Sequence, residues 1–131
     1  MNHFSFLKKS LNYDCDCHFF ESIESTNSYL SDTPYSNLPQ LCVTREQTKG
    51  KGQYGREWIA QKDGSIIFSI RKSFTEDTNI SGLSLAVGLV IIKALEAECR
   101  LFGFKIKWPK FWMYWHCYSF LYATAFISIS R

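Results

Sequence analysis

A chain of 131 residues has material for one domain, since domains commonly run to about 100–200 residues. Hydrophobic residues at 46% with charged residues at 21% lie in the globular range and exclude wholesale disorder, collagen-like repeats and coiled coil. Fifteen Lys and Arg against twelve Asp and Glu leave a net charge of +3 with no dense basic block. That argues against a nucleic-acid binder, which needs several clustered phosphate contacts.

In chain order, residues 18–23 (HFFESI) read as a short strand. Glu24-Ser25-Thr26-Asn27 follows, with Ser25 or Thr26 placed to cap a short helix through Tyr29 and Leu30. Residues 32–39, carrying Thr33-Pro34 and Leu38-Pro39, form a loop, and residues 40–44 (QLCVT) a buried strand. From Glu46 to Asp63 the chain is polar and glycine-rich, and residues 65–70 (SIIFSI) are the clearest strand. Residues 79–99 predict a long, deeply packed helix, with Gly82 and Gly88 as local costs to helicity. Residues 104–108 (FKIKW) alternate like a strand that stops at Pro109. The order of elements implies an α+β or α/β fold without internal repeats.

Composition breaks near Pro109. Residues 1–110 carry 14 Phe, Tyr and Trp, whereas Phe111–Ser130 alone carries 8 and has no Asp, Glu, Lys, Arg, Gly or Pro. Twenty uncharged residues are about the length of a membrane-crossing helix. Yet Ser, Thr, Tyr and His are frequent, Tyr and Trp lie throughout instead of in belts, and β-branched and aromatic types outnumber Leu and Ala. The tail is therefore not a convincing membrane span and no membrane is expected as a partner, and a segment read out of frame is the other reading of such an abrupt change. Five scattered cysteines and a start without an apolar signal core imply a reduced, cytoplasmic chain. Cys15, Cys17 and His18 form a C-x-C-H cluster, but zinc sites use a second distant pair that is missing, so these read as reduced thiols and no metal site is expected.

Chemistry concentrates in Gln47-Thr48-Lys49-Gly50-Lys51-Gly52-Gln53-Tyr54-Gly55-Arg56-Glu57-Trp58. Three glycines in six residues let backbone N–H groups converge on an anion, and Lys49, Lys51 and Arg56 supply positive charge. The stretch matches neither a Walker A motif, which needs Gly-Lys-Ser/Thr, nor a Rossmann fingerprint, which opens a helix. Taken alone, it reads as a solvated flexible loop before it reads as a phosphate cradle.

The loop does not stand alone. Glu-Ser-Thr-Asn at 24–27, the Gln47–Trp58 block, Gly-Leu-Ser-Leu-Ala-Val-Gly at 82–88 and Lys-Trp-Pro at 107–109 resemble, in order and approximate spacing, the biotin protein ligase family. The resemblance implies an α+β catalytic domain, a mixed β-sheet with packed helices, of which residues 18–109 would be the first half, 1–17 a lead-in and 110–131 a tail foreign to the family. It implies a two-step reaction: biotin and ATP form biotinyl-5′-adenylate and pyrophosphate, and a lysine of the biotin carrier domain of a carboxylase then takes the biotinyl group. ATP, biotin and Mg²⁺ are the implied ligands. Lys51 and Arg56 would offset the repulsion between carboxylate and α-phosphate. Ser25, Thr26, Asn27, Gln47, Gly50, Lys51, Gly52 and Gln53 would hold biotin, although Ser25 has an equal claim as a helix cap. Lys51, Gly52, Gln53, Arg56, Trp58 and Lys107 would hold the adenylate. Lipoate-type acyl ligases share the fold and are the alternative chemistry; a small membrane-associated protein anchored by the tail is an alternative of another class.

Two departures stand out against that family. Gln53 occupies a place where many members carry Arg, and Lys110-Phe111 stand where the family continues with Asn-Asp and, shortly after, a lysine. Motif loss and composition change coincide at Pro109, which points to a break in reading frame there. About 20 residues precede the first strand, too few for a DNA-binding winged helix-turn-helix, so DNA binding is not expected; oligomeric state is left open.

Overall fold

The computed structural model describes residues 14–51, 55–60, 62–75, 77–79, 81–99, 105–107, 112–114 and 122–128, the last three segments as backbone. Its elements are β1 (Asp16–Phe20), α1 (Thr26–Asp32), β2 (Gln40–Thr44), β3 (Gly50–Lys51), β4 (Glu57–Trp58), β5 (Ser65–Arg71), α2 (Leu83–Cys99), β6 (Lys105–Lys107), β7 (Trp112–Tyr114) and β8 (Tyr122–Ser128). The expected α+β architecture with a mixed sheet is what the chain adopts.

Four strands form the main sheet in the order β1-β2-β5-β8. β1 runs parallel to β2, reached through the α1 crossover, while β2 and β5 are antiparallel and β5 and β8 parallel. Residue alternation decides which side chains meet α1. Gln40, Cys42 and Thr44 of β2 are buried, and the register sets them opposite Arg71, Ser69 and Ile67 of β5, which are buried too. Thr26 and Leu30 of α1 close over this layer. The layer is unusually polar: Leu30, Cys42 and Ile67 supply its fully buried apolar side chains, and Thr26, Gln40, Thr44, Ser69 and Arg71 the rest. A buried polar group costs stability unless it is hydrogen-bonded, so this layer must be built around specific partners.

Arg71 illustrates the rule. Only 3% exposed, its Nε donates to Gln40 Oε1 at 2.8 Å, its Nη2 to the carbonyls of Thr33 (2.7 Å) and Pro34 (2.9 Å), and its guanidinium lies 4.3 Å from the Tyr35 ring centre. Gln40 Nε2 in turn donates to Pro34 O and Asp16 Oδ2. This cluster clamps the α1–β2 loop to the far end of the sheet.

Several boundaries differ from the sequence reading. The first strand covers Asp16–Phe20 and not residues 18–23, because pairing with β2 in the register Asp16↔Gln40 to Phe20↔Thr44 sets its ends. Residues 46–63 are not all loop, since β3 and β4 pair as a two-stranded ribbon within them. The long helix starts at Leu83 and not at Asn79. Gly82 takes φ +76°, outside the right-handed helical region, while its carbonyl accepts the first helical bond from Ala86 N–H at 3.0 Å. Gly82 is therefore the entry to the helix and not a defect within it.

The strand expected at 104–108 spans Lys105–Lys107 and pairs antiparallel with β7. The tail is strand wherever it is described, at Trp112–Tyr114 and Tyr122–Ser128, and not the helix that the alternative of a membrane anchor at residues 111–129 would use. Its β-branched and aromatic types suit a pleated surface. Among the described residues no helix is long and apolar enough to cross a membrane.

Candidate functional site

The β1–α1 junction and the segment after β2 run side by side. Ile23 N–H donates to Glu46 O at 3.1 Å, Thr48 N–H to Ile23 O at 3.0 Å and Lys49 N–H to Glu24 O at 2.8 Å. These bonds bring Ser25-Thr26-Asn27 against Gln47, although 20 or more residues separate them in sequence. Glu24 and Lys49 reinforce the juxtaposition with a 2.7 Å ion pair at the surface. The Lys49 ammonium, hydrogen-bonded to the Glu24 carboxyl and aided weakly by Lys51, holds that carboxyl below the usual carboxylate range.

Ser25 caps α1: its backbone is extended, and its Oγ accepts from Ser28 N–H at 3.3 Å. Capping uses a lone pair and leaves the hydroxyl proton as a donor, so the two readings of Ser25 are compatible. Thr26, with no exposed surface, donates twice to Gln47 Oε1, through its backbone N–H at 2.8 Å and its Oγ1 at 3.0 Å. A backbone N–H can only donate, so Gln47 must present its carbonyl to Thr26 and its amide group away from it. That amide nitrogen lies beside Gly50 and makes no hydrogen bond among the described residues.

Gly50 begins the cationic hairpin and pairs with Trp58. A Cβ at position 50 would be driven into the Trp58 carbonyl oxygen, and would approach Gln47 Nε2 to 3.0 Å and Trp58 Cβ to 3.3 Å. Only glycine fits here, and it lets backbone approach the Gln47 amide. Lys51 pairs with Glu57 across the ribbon, and Lys51 and Arg56 are exposed and form no salt bridge among the described residues. Gly55, at φ +71°, turns the chain back toward β4. The site is thus a fixed amide and hydroxyl group flanked by the exposed cations Lys51 and Arg56 of the hairpin.

Of the residues singled out in the sequence, Ser25, Thr26, Gln47, Gly50 and Trp58 converge here, with Asn27 half-buried on the first turn of α1. Lys51 and Arg56 lie on the same hairpin. Gly52 and Gln53 lie outside the described residues, and Lys107 is placed only as a residue of β6. Ser69 of β5 was not foreseen. Its Oγ lies 2.8 Å from Thr26 Oγ1, and it is 2% exposed. The alternation in SIIFSIR could have exposed it, since a serine falls between Ile67 and Arg71 on the face turned to α1. Cys15 and Cys17 are half-buried free thiols, and among the described residues no three His, Cys, Asp or Glu side chains group as a metal site.

The Biotin/lipoate A/B protein ligase family matches residues 19–114, well over half of the chain. The protein belongs to that family. Among solved structures it is similar to the biotin acetyl coenzyme A carboxylase synthetase of Helicobacter pylori, a structure with bound biotinylated ATP. The likeness has a TM-score of 0.51 at 21% identity, and it covers 77% of this chain and 49% of the other. At that identity it is a likeness of fold, and the chain spans about half the length of its structural relative. The site at Gln47 and the hairpin lies inside the matched family segment.

Proposed function

We propose that this ligase-family chain acts on biotin, activating it with ATP to biotinyl-5′-adenylate for transfer to a lysine of a carrier domain. The observation that carries the reading is the pinned Gln47 amide: Thr26 holds its carbonyl, so its N–H donors face the glycine turn, where a neutral acceptor such as a ureido oxygen would fit. Ser25 and Asn27 stand beside it with hydroxyl and amide groups for the ring nitrogens. Lipoate carries no ureido group and gives such donors nothing to bind.

The chemistry sets what the remaining residues do. The biotin carboxylate attacks the α-phosphorus, a P–O bond forms, and the bond to pyrophosphate breaks. A lysine amine then attacks the acyl carbon, and AMP leaves with the bonding pair while the amine proton passes to solvent. Two anions meet in the first step, and Lys51 and Arg56 supply positive charge on the same hairpin to stabilise the phosphoryl oxygens. Carboxylates for a resident Mg²⁺ do not fit this site, because the adjacent Glu24 is committed to Lys49 and the hairpin is cationic. Mg²⁺ would enter as MgATP, as part of the substrate.

A cytoplasmic setting and a carboxylase carrier domain as partner belong to the same proposal. So does a reading-frame break after Pro109, motivated by Lys110-Phe111 in the Asn-Asp places and by the change in composition at that point. Such a break predicts impaired turnover. Translating the coding DNA in the other frames beyond that codon tests it, and absence of an Asn-Asp…Lys continuation would defeat it. The activity itself is tested by biotin-dependent exchange of labelled pyrophosphate into ATP. Exchange that depends on biotin supports the reading; exchange that depends on lipoate or octanoate instead assigns the chain to the other branch of its family.

A further inference from the structure

We infer that Ser69 is a positioning residue for ligand recognition: through the Thr26 hydroxyl it reinforces the orientation of the Gln47 side chain that the Thr26 N–H sets. The inference rests on the biotin reading above and deepens it. Thr26 Oγ1 has one proton, and that proton goes to Gln47 Oε1, an oxygen that can only accept. The 2.8 Å contact between Thr26 Oγ1 and Ser69 Oγ therefore has one possible direction, with Ser69 donating. A proton chain results, running from the Ser69 hydroxyl to the Thr26 hydroxyl to the Gln47 carbonyl. All three residues are buried, at 2%, 0% and 9% exposure, so water does not substitute for a missing member without cost.

The chain has a consequence at its far end. Were the Gln47 amide to flip, its nitrogen would face the Thr26 N–H, donor against donor, and the Thr26 hydroxyl would have to turn its own proton toward Ser69. Ser69, held on β5 opposite Cys42 of β2, disfavours that second arrangement: it would have to accept from Thr26, and its own proton would lose its acceptor, since Ser69 Oγ has no other hydrogen-bond partner among the described residues. The site therefore presents two amide donors and no amide acceptor to its ligand. It selects a carbonyl acceptor and rejects a ligand whose corresponding group donates.

The test compares biotin with 2-iminobiotin, in which a guanidinium N–H replaces the ureido oxygen. Equilibrium binding of each to the full chain is measured for the wild type and for Ser69→Ala. We expect Ser69→Ala to lose about tenfold in biotin affinity, the equivalent of about 1.4 kcal/mol, and to lose less for 2-iminobiotin, so that the ratio between the two ligands contracts. Ser69→Cys, which keeps a similar volume and a weak donor, should restore most of the ratio, and it carries the test should the alanine variant fail to fold. A Ser69→Ala variant with the wild-type ratio, whether both affinities hold or both fall by the same factor, overturns the inference. A wild-type chain that binds neither ligand overturns the biotin reading itself, an outcome distinct from the first.

Discussion

Gly50→Ala is the sharpest perturbation of the site. The new methyl would collide with the Trp58 carbonyl on the partner strand of the ribbon, and would press on Gln47 Nε2 at 3.0 Å and Trp58 Cβ at 3.3 Å. The carbonyl and Cβ belong to backbone-anchored parts of the same two-residue pairing, so rotating a side chain does not relieve the clash. Overpacking of this kind costs about 1–3 kcal/mol. The ribbon lies outside the four-stranded sheet, so the cost falls on the population of the paired hairpin and not on the core. A cost of that size lowers the ratio of paired to unpaired hairpin about 5- to 150-fold, and apparent biotin affinity falls by up to that factor. Titration calorimetry reads the affinity, and thermal unfolding checks that the sheet survives. Gly55→Ala serves as the comparison: its φ of +71° strains a side chain, but no described atom lies within 4 Å, so a smaller loss is expected. Wild-type affinity in a folded Gly50→Ala protein would refute the claim that close backbone approach at this turn shapes the site.

Three further outcomes are expected. Arg71→Lys should lower stability by about 3 kcal/mol, because the acceptors at Thr33, Pro34 and Gln40 each lose a geometry-specific donor worth about 1 kcal/mol, and denaturant titration would show it; a neutral result would contradict the clamp. Burial pushes the Cys42 thiol up to about 12, and with no exposed surface it should resist thiol reagents at pH 8 until denaturant is added, whereas ready native-state labelling would contradict its place in the core. Glu24, held below its ordinary range by Lys49, keeps its tether above the unfolded carboxylate range and loses it as pH falls through the lowered value. Protection of the Thr48 and Lys49 amides from exchange, taken relative to the intrinsic rate at each pH, should therefore fall at acid pH and in high salt, and Glu24→Gln should abolish that dependence.

Strand and helix identities were legible because the buried run QLCVT, the β-branched and aromatic run SIIFSI and the Ser25 cap are local signals; which face of SIIFSI is buried was not, since Ile67 and Ser69 turn inward and Ile66 and Ile70 outward. Their ends were less legible, since β1 begins at Asp16 through its pairing with β2, a long-range property of no single segment. Gly82 shows the same limit: a composition penalty inside a presumed helix proved to be the turn that starts it. At the site, the types Ser25, Thr26, Gln47 and Gly50 were readable from motif resemblance. The contact between them depends on the bonds that Ile23 and Glu24 make to residues 46–49, which sequence spacing does not encode. Ser69 escaped because its role depends on which hydroxyl donates, and that follows only from the Gln47 geometry.

The most direct test follows the Gln47 side-chain amide by nitrogen-15 NMR during a biotin titration. The account predicts a saturable shift of the two Gln47 side-chain amide proton signals when a ureido oxygen accepts from the group. Saturating biotin that leaves the Gln47 amide signals unmoved would contradict the assignment of this site.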